Sequence, residues 1–167
     1  MAVREVIGLD DYRLSRRAKQ IESFDDDLKD LVNDLVETMR ISPGCVGLAA
    51  NQIGDERSVF VIDVANARRL KTYSGLIVAV NPAILNLDGL LELREGCMSV
   101  PDFTGAVPRY EKLTLRASNE VGEEFEISTD GFEAQAIQHE CDHLIGLTFL
   151  DRIAAPSKMF SRKKYLD

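Results

Sequence analysis

Residues 138–143 read Gln-His-Glu-Cys-Asp-His, and the rest of the chain must be organised around this stretch. The chain contains only two histidines, His139 and His143, and both lie here. On a helix, positions i and i+4 lie about 40° apart on one face, so the two imidazoles can bind one metal ion. Glu140 lies beside the pair and can reach a water on that ion without displacing it. The spacing therefore predicts a helix that carries two metal ligands and a general base.

A third ligand has to come from elsewhere, because catalytic metal sites usually combine three protein ligands with a water. The downstream position at which some metalloproteases place a third histidine is Phe149 here, and no glutamate follows Glu140. Asp151 and Asp167 remain formally possible, but neither comes with a supporting motif. The sequence therefore favours a third ligand upstream of the helix.

The three cysteines can be compared as candidates for that ligand. Cys141 would project away from the histidine face into the packed side of the helix, and Cys45 lies among apolar residues, so both are predicted to pack in the core. Cys97 lies in a glycine-flanked loop that can turn its sulfur toward a metal, whereas Glu92 and Glu95 are less specific alternatives. We select Cys97. A thiolate with two imidazoles suits Fe(II), Zn, Ni or Co.

Composition limits the classes of protein to which the chain can belong. Its 167 residues predict one domain over residues 1–167, and 45% hydrophobic with 29% charged residues is ordinary for a globular protein. A net charge of −8 argues against a general binder of nucleic acids, and we expect no specific DNA partner. We expect no signal peptide and no membrane span. Three widely spread cysteines favour a cytoplasmic protein without disulfides.

Hydrophobic periodicity predicts an α+β fold. Apolar residues at helical spacing between Leu28 and Met39 predict an amphipathic helix, with an N-cap in the acidic run that begins at Asp25. Asp130-Gly131 should open the metal-binding helix and Gly146 should end it, and a turn is predicted at Asp88-Gly89. Strands are predicted over Ser58–Val64, Leu76–Asn81, Lys112–Ala117 and Glu123–Ser128. We expect mostly antiparallel strands packed around the C-terminal helix with His-Glu-x-x-His.

The last residues, Pro156–Asp167, form a short basic tail that is predicted to be loosely held. The tail contains four basic residues and one acidic residue, Asp167, although the chain as a whole is acidic. We expect deletion of Ser157–Asp167 to leave turnover of a free peptide substrate unchanged.

Three ordered motifs, Cys45–Gln52, Glu95–Ser99 and His139–His143, resemble those of the peptide deformylase family. The similarity extends from the N-terminal segment to about Ile153. Cys45 stands where the family usually has a glycine, and Met98 stands where leucine is common.

The resemblance implies an activity and the roles of several residues. It implies hydrolysis of the formyl group from N-formylmethionine on new polypeptides, with release of formate. One divalent metal ion would be held by Cys97, His139 and His143, with Fe(II) as the expected native ion. Glu140 would act as the general base, while Gln52 and the backbone N–H of Met98 would donate hydrogen bonds to the developing oxyanion.

The resemblance also implies partners and substrate-binding residues. The substrates would be N-formylmethionyl nascent polypeptides, and the basic tail could contact the ribosome surface. The implied substrate-binding residues are the backbones of Val46, Gly47 and Gly96 for an added strand, and Leu93, Phe132 and Ala136 for a methionine pocket.

Three alternative functions remain open at this point. A zinc peptidase shares the metal chemistry but predicts a third histidine or glutamate downstream. A non-enzymatic domain with a structural metal would need four protein ligands. A related metallohydrolase that acts on another N-acylated substrate is the alternative that the sequence excludes least well.

Overall fold

A computed structural model describes residues 2–65, 67 and 73–162 of the chain. Within those residues the chain forms two α-helices, α1 (Asp26–Ile41) and α2 (Gly131–Leu144). The strands are β1 (Gly47–Ala49), β2 (Val59–Ile62), β3 (Ile77–Cys97), β4 (Val100–Ser118), β5 (Glu124–Asp130) and β6 (Met159–Ser161). Short 3₁₀ segments occupy Tyr12–Ser15, Ala50–Ile53, Phe149–Asp151 and Pro156–Lys158. The predicted α+β class is confirmed.

Helix α1 has the predicted cap and the predicted apolar face. The side chain of Asp25 accepts a hydrogen bond from the backbone N–H of Leu28 at 3.0 Å, which satisfies one of the free donors of the first turn. Leu28, Leu35 and Met39 are buried on the stripe that the spacing predicted. Helix α1 ends at Ile41, and Ser42 is its C-cap.

All pairings between the named strands are antiparallel, and they form one sheet in the order β1-β2-β3-β4-β5, with β6 paired to β4. Strand β2 is buried on both faces. Val59 and Val61 pack in the cluster that contains α1, whereas Phe60 and Ile62 pack in the cluster that contains α2. This arrangement explains why β2 is an unbroken apolar run. It also places α2 against the sheet, with β1 at the sheet edge beside it.

Strand β3 runs through the position at which a turn was predicted. The expected turn at Asp88-Gly89 is wrong: the strand continues, with a register shift between Leu85 and Asp88. Asn86 lies within this shift with φ 52°, and Gly89, just after it, has φ 71°, a left-handed conformation that glycine adopts without steric cost. A second shift lies between Val80 and Ala83, so β3 also passes Pro82 instead of ending there.

The C-terminal segment is not loosely held over residues 156–162, so that expectation was wrong. Strand β6 pairs with Phe103–Gly105 of β4, and Lys158 forms an ion pair with Glu92 at 2.7 Å. The guanidinium of Arg94 stacks over the ring of Phe160 at 3.9 Å from its centroid. Residues 163–167 of the predicted tail lie outside the described residues. In the described part of the chain, no helix is both long enough and apolar enough to cross a membrane.

Candidate active site

Helix α2 carries the metal motif, and glycines fix where it begins and ends. Gly131 opens the helix with φ 57°, and Gly146 follows its end with φ 82°, as the sequence predicted. A Cβ at Gly146 would collide with the backbone carbonyl of Ser15, so this end of α2 packs directly on the N-terminal segment. Ala134 and Ile137 face the core and fix the rotation of the helix. The histidine face therefore points toward the end of β3.

Three candidate metal-ligand atoms converge there. The Cys97 Sγ lies 3.3 Å from His143 Nε2, and His143 Nε2 lies 3.2 Å from His139 Nε2. All three atoms lie within 4.8 Å of one another. Cys97 and His143 are buried, and His139 is half-buried. The set of one sulfur and two imidazole nitrogens is one that Fe(II), Zn, Ni or Co accepts, so the residues fit a divalent ion.

A buried network of charges holds His139 in place. Glu95 Oε2 lies 2.8 Å from His139 Nδ1, and Arg109 Nε donates to Glu95 Oε1 at 2.6 Å. Arg109 Nη1 also donates to Asp142 Oδ2 at 2.7 Å, and Arg152 Nη2 donates to Asp142 Oδ1 at 2.7 Å. When Nδ1 donates to Glu95, Nε2 is left to face the metal position, which is how outer hydrogen bonds orient ligating histidines.

The network also sets the protonation of its members. Burial alone would raise the pKa of Glu95, but the hydrogen bonds from His139 and Arg109 outweigh it and lower that pKa to about 2. Burial lowers the pKa of His143 well below its usual value, and the charge of His139 adds to this. Glu95 is therefore an anion, and His143 is neutral, the form in which imidazole binds a metal.

Glu140 lies beside the three candidate ligand atoms, and its hydrogen bonding and pKa differ from those of Glu95. It is buried, and its Oε2 has no hydrogen-bond partner among the described residues. Burial raises the pKa of Glu140 to about 7. The other carboxylate oxygen packs against Gly47, since a Cβ there would lie 2.6 Å from Oε1. An unpartnered carboxylate with this pKa is suited to accept a proton near neutral pH.

Gln52 contacts Cys97 through its side-chain amide. Its Oε1 accepts from the backbone N–H of Ala49 at 3.0 Å, which fixes the direction of the amide. Its Nε2 lies 3.2 Å from Ser99 Oγ and 3.5 Å from Cys97 Sγ. The N–H groups of the amide therefore point toward the candidate metal site, where Cys97 Sγ lies.

These groups open into a cavity of about 930 Å³. Its walls come from the segment before β1, the end of β3, helix α2 and the end of β6. The lining residues include Pro43, Gly44, Cys45, Val46, Gly47, Gln52, Arg94, Gly96, Met98, Thr104, Phe132, Ala136, Ser161 and Arg162. The cavity is also lined by His139 and Glu140, so it includes the candidate metal position.

The family model described as polypeptide deformylase matches residues 3–159. The chain belongs to this family. It is 38% identical over 165 residues to the peptide deformylase of Syntrophobacter fumaroxidans, covering 99% of this chain and 95% of that protein.

Solved structures give the same result. The chain resembles the crystal structure of a peptide deformylase from Legionella pneumophila, with a TM-score of 0.84 and 41% identity over 94% of this chain and 89% of that one. It also resembles the peptide deformylase from Ehrlichia chaffeensis in complex with actinonin, with a TM-score of 0.86 and 31% identity over 95% of this chain and 92% of that one. The protein is accordingly an enzyme of the deformylase type.

Most of the residues that the sequence singled out lie at this deformylase cavity. Val46, Gly47, Gly96, Phe132 and Ala136 line it, together with Gln52 and Met98. Leu93 does not line the cavity, although it is half-buried in β3.

Cys45 differs from the expectation that it packs in the core. It contacts the cluster around α1, but it also lines the cavity, and its Sγ donates to the backbone carbonyl of Gly47 at 3.1 Å. Burial raises the pKa of this thiol to about 12, so it stays neutral. Among the described residues other than glycine, Asn81 and Asn86 are the two with positive φ, so Cys45 replaces the usual glycine without strain. Cys141 packs against the core as predicted.

Sequence reasoning did not find the charged residues around the site. Arg109 and Arg152 were overlooked, although the aspartate inside the metal motif is a sign of an ion pair, because buried carboxylates are usually paired. Arg94 and Arg162 were also missed as cavity residues. No local sequence pattern could have predicted that Arg162 lines the cavity, because its position depends on the pairing of β6 with β4.

Proposed function

We propose that this deformylase hydrolyses the formamide of N-formylmethionyl polypeptides and releases formate, with Glu140 as general base. One observation carries the proposal: Cys97, His139 and His143 converge beside a buried carboxylate that has an unpartnered oxygen. A site with three donors leaves a position for water, whereas a structural metal site would be closed by a fourth protein ligand.

We assign the binding of one divalent ion to Cys97, His139 and His143, with Fe(II) as the native ion. Such an ion, when bound, supplies Lewis acidity that makes a water nucleophilic near neutral pH. The chain itself supplies the orientation, since Glu95 fixes His139 and the buried Arg109 fixes Glu95. The thiolate makes Fe(II) the proposed ion over metals that prefer oxygen ligands.

Glu140 has two proton-transfer roles in this proposal. Its unpartnered Oε2 accepts a proton from the attacking water, and the same carboxyl then returns that proton to the leaving amine nitrogen. Gln52 Nε2 and the Met98 backbone N–H donate to the formyl oxygen as negative charge develops on it. Both are lining residues of the cavity.

The substrate peptide is proposed to lie as an added strand along β1. Strand β1 is at the end of the sheet order, so one of its edges is open to pairing. Val46, Gly47 and Gly96 all line the cavity. Phe132 and Ala136, which lie in α2, are proposed to contact the methionine side chain, and Leu93 is left out because it does not line the cavity.

Formate release from formyl-Met-Ala-Ser by anaerobically purified protein tests the function. The acetylated peptide in parallel separates a deformylase from a hydrolase for other N-acylated substrates, and a formylated peptide with an internal cleavage site detects a peptidase. The Glu140→Gln protein should keep its metal but lose roughly 10²–10⁴ in kcat, the usual contribution of a general base. Wild-type turnover in that variant would remove Glu140 from the mechanism, and no formate from the wild type would remove the function.

We also propose that the enzyme acts in the cytoplasm and reaches ribosomes through its basic C-terminus. Its three cysteines are free, as in a reducing compartment. Of the four basic residues near the end, Lys158 is bound to Glu92 and Arg162 lines the cavity. The ribosome hypothesis therefore rests on Lys163 and Lys164.

A further inference from the structure

Two arginines stand at the cavity without a carboxylate partner. Most arginines in the described part of the chain form ion pairs, as Arg109 does with Glu95 and Asp142. Neither Arg94 nor Arg162 forms one with any described residue, although both line the cavity and both are exposed. In a chain with a net charge of −8, unpaired positive charge at this position needs an explanation.

A row across three strands brings the two side chains together. Gly96 of β3 pairs with Thr104 of β4, and Thr104 pairs with Phe160 of β6. Arg94 donates from Nε to Thr104 Oγ1 at 2.9 Å and stacks on Phe160, which leaves its two Nη groups for a ligand. The guanidinium of Arg162 lies directly over Gly96, in the space that a Cβ would fill.

The placement of Arg162 is specified by the fold. Its backbone N–H donates to the carbonyl of Asp102 at 2.8 Å, which continues the pairing of β6 beyond its last residue. The ion pair of Lys158 with Glu92 fixes the start of the same segment. Of the two carboxylates that line the cavity, Glu95 is bound to Arg109 and His139, and Glu140 forms no ion pair with Arg94 or Arg162.

We propose that Arg94 and Arg162 bind a carboxylate side chain of the substrate. This side chain belongs to the second or third residue of the peptide, counted with formylmethionine as the first. This inference rests on the proposed function, because it takes Gly96 as part of the wall along which the extended peptide lies. Side chains of an extended peptide alternate at about 3.3 Å per residue, so a residue close to the formylmethionine faces the arginine pair. Guanidinium groups are the side chains best suited to bind a carboxylate through paired N–H donors.

The test compares pairs of formylated tripeptides that differ in charge alone. The peptides are formyl-Met-Glu-Ala and formyl-Met-Ala-Glu, each against its Gln counterpart, all with amidated C-termini so that the side chain carries the one carboxylate. We expect kcat/KM to be about two- to fivefold higher for one Glu peptide than for its Gln counterpart, the range of ion pairs at exposed sites. Raising the salt from about 0.05 to about 0.5 M should reduce that preference.

Three variants identify the residues that carry the preference. Arg162→Gln and Arg94→Gln should each bring the Glu/Gln ratio closer to one, and Arg162→Lys should retain part of it. Arg17→Gln is the matched control, because Arg17 is exposed, lies away from the cavity and has no ion pair with a described residue. Each variant is compared with itself on two peptides, so a loss of folded protein cancels from the ratio.

The outcomes are distinguishable. A wild-type ratio of one at both positions, or the wild-type ratio in Arg162→Gln and Arg94→Gln, would overturn the inference while formate release still supports the proposed function. An absence of formate from every peptide would instead refute the proposed function.

Discussion

Gly47 keeps open the space that the Glu140 carboxylate occupies. A Cβ at this position would lie 2.6 Å from Glu140 Oε1, a distance that real Cβ contacts essentially never show, and 3.0 Å from Glu140 Cδ, which is tighter than most real contacts. Since Glu140 is buried, its carboxylate has little room to move away. The glycine is thus required by the position of the proposed base, and its own backbone conformation gives no reason for it.

Gly47→Ala is therefore expected to misplace the base without removing the metal. We predict that kcat falls by roughly 10²-fold, the cost of moving a catalytic group by about 1 Å. Metal content, measured by elemental analysis, should stay at the wild-type value. Gly8→Ala is the control, because its added Cβ would meet a flexible Asp10 side chain away from the cavity. Wild-type turnover in Gly47→Ala would show that Glu140 can act from another position.

The residues that could be predicted from sequence at this scale are those whose geometry is local. The spacing of His139 and His143 on one helix face follows from helical rotation alone, and the structure brings their Nε2 atoms to 3.2 Å. Leu93 shows the opposite case. It was expected to line a methionine pocket, but it does not line the cavity, and its placement depends on the pairing of β3 with β4, in which Leu93 lies opposite Val107.

At the scale of elements, a buried charge network joins the end of β3, the middle of β4, helix α2 and the segment after it. Arg109 of β4 lies at its centre and is 4% exposed, between Glu95 and Asp142. Its removal would leave two buried carboxylates, Glu95 and Asp142, each without one of its charged partners. A buried ion pair is costly to break for this reason, whatever its net contribution to stability.

Arg109→Met should lower the free energy of unfolding by about 3–5 kcal/mol, the cost of breaking a buried ion pair. The measurement is urea denaturation followed by circular dichroism. Arg116→Met is the matched control on the same strand, because Arg116 pairs with Glu126 on the surface, where the side chains are 58% and 50% exposed. That change should stay within about 0.5 kcal/mol, as surface substitutions do. Equal effects of the two substitutions would contradict the role of the network.

Elements were predictable from sequence where a periodic pattern runs long enough. The stripe of α1 from Leu28 to Met39 extends through about three turns, so most of its buried residues were found correctly. Strand β6 has three residues, Met159–Ser161, which is too short for any periodic pattern. Its pairing is determined by contacts with distant residues, such as Arg94 on Phe160, and those contacts exist only in the folded chain.

At the scale of the whole molecule, the C-terminal segment has two parts with different expected roles. Deletion of Ser157–Asp167 cannot leave the enzyme unaltered, because it would remove β6 and Arg162 from the cavity wall. The expectation of unchanged turnover is thus replaced by one of impaired turnover. Lys163 and Lys164 alone remain as residues through which ribosome binding can be tested apart from catalysis.

Replacing both of these lysines with glutamine should weaken co-sedimentation with ribosomes at low salt. The chain carries a net charge of −8, so the loss of two positive charges increases its repulsion from a phosphate-rich surface. Arg17→Gln and Lys19→Gln together provide a control of equal charge change elsewhere on the surface. Equal loss of co-sedimentation in the two proteins would show a general charge effect, and no loss in either would end the ribosome hypothesis.

Because Cys97, His139 and His143 converge only in the folded chain, the free energy of unfolding should depend on the concentration of the metal ion. One donor ends a strand and two lie on a helix, so the three come within 4.8 Å only when β3 and α2 have docked. An ion that binds this state alone stabilises it by mass action, by about 2.7 kcal/mol at a free concentration 100 times its dissociation constant. A chelator should therefore lower the denaturation midpoint of the wild type and of Cys141→Ala. The midpoint of Cys97→Ala should not respond, and an equal response in all three would show that the ion stabilises the fold from somewhere else.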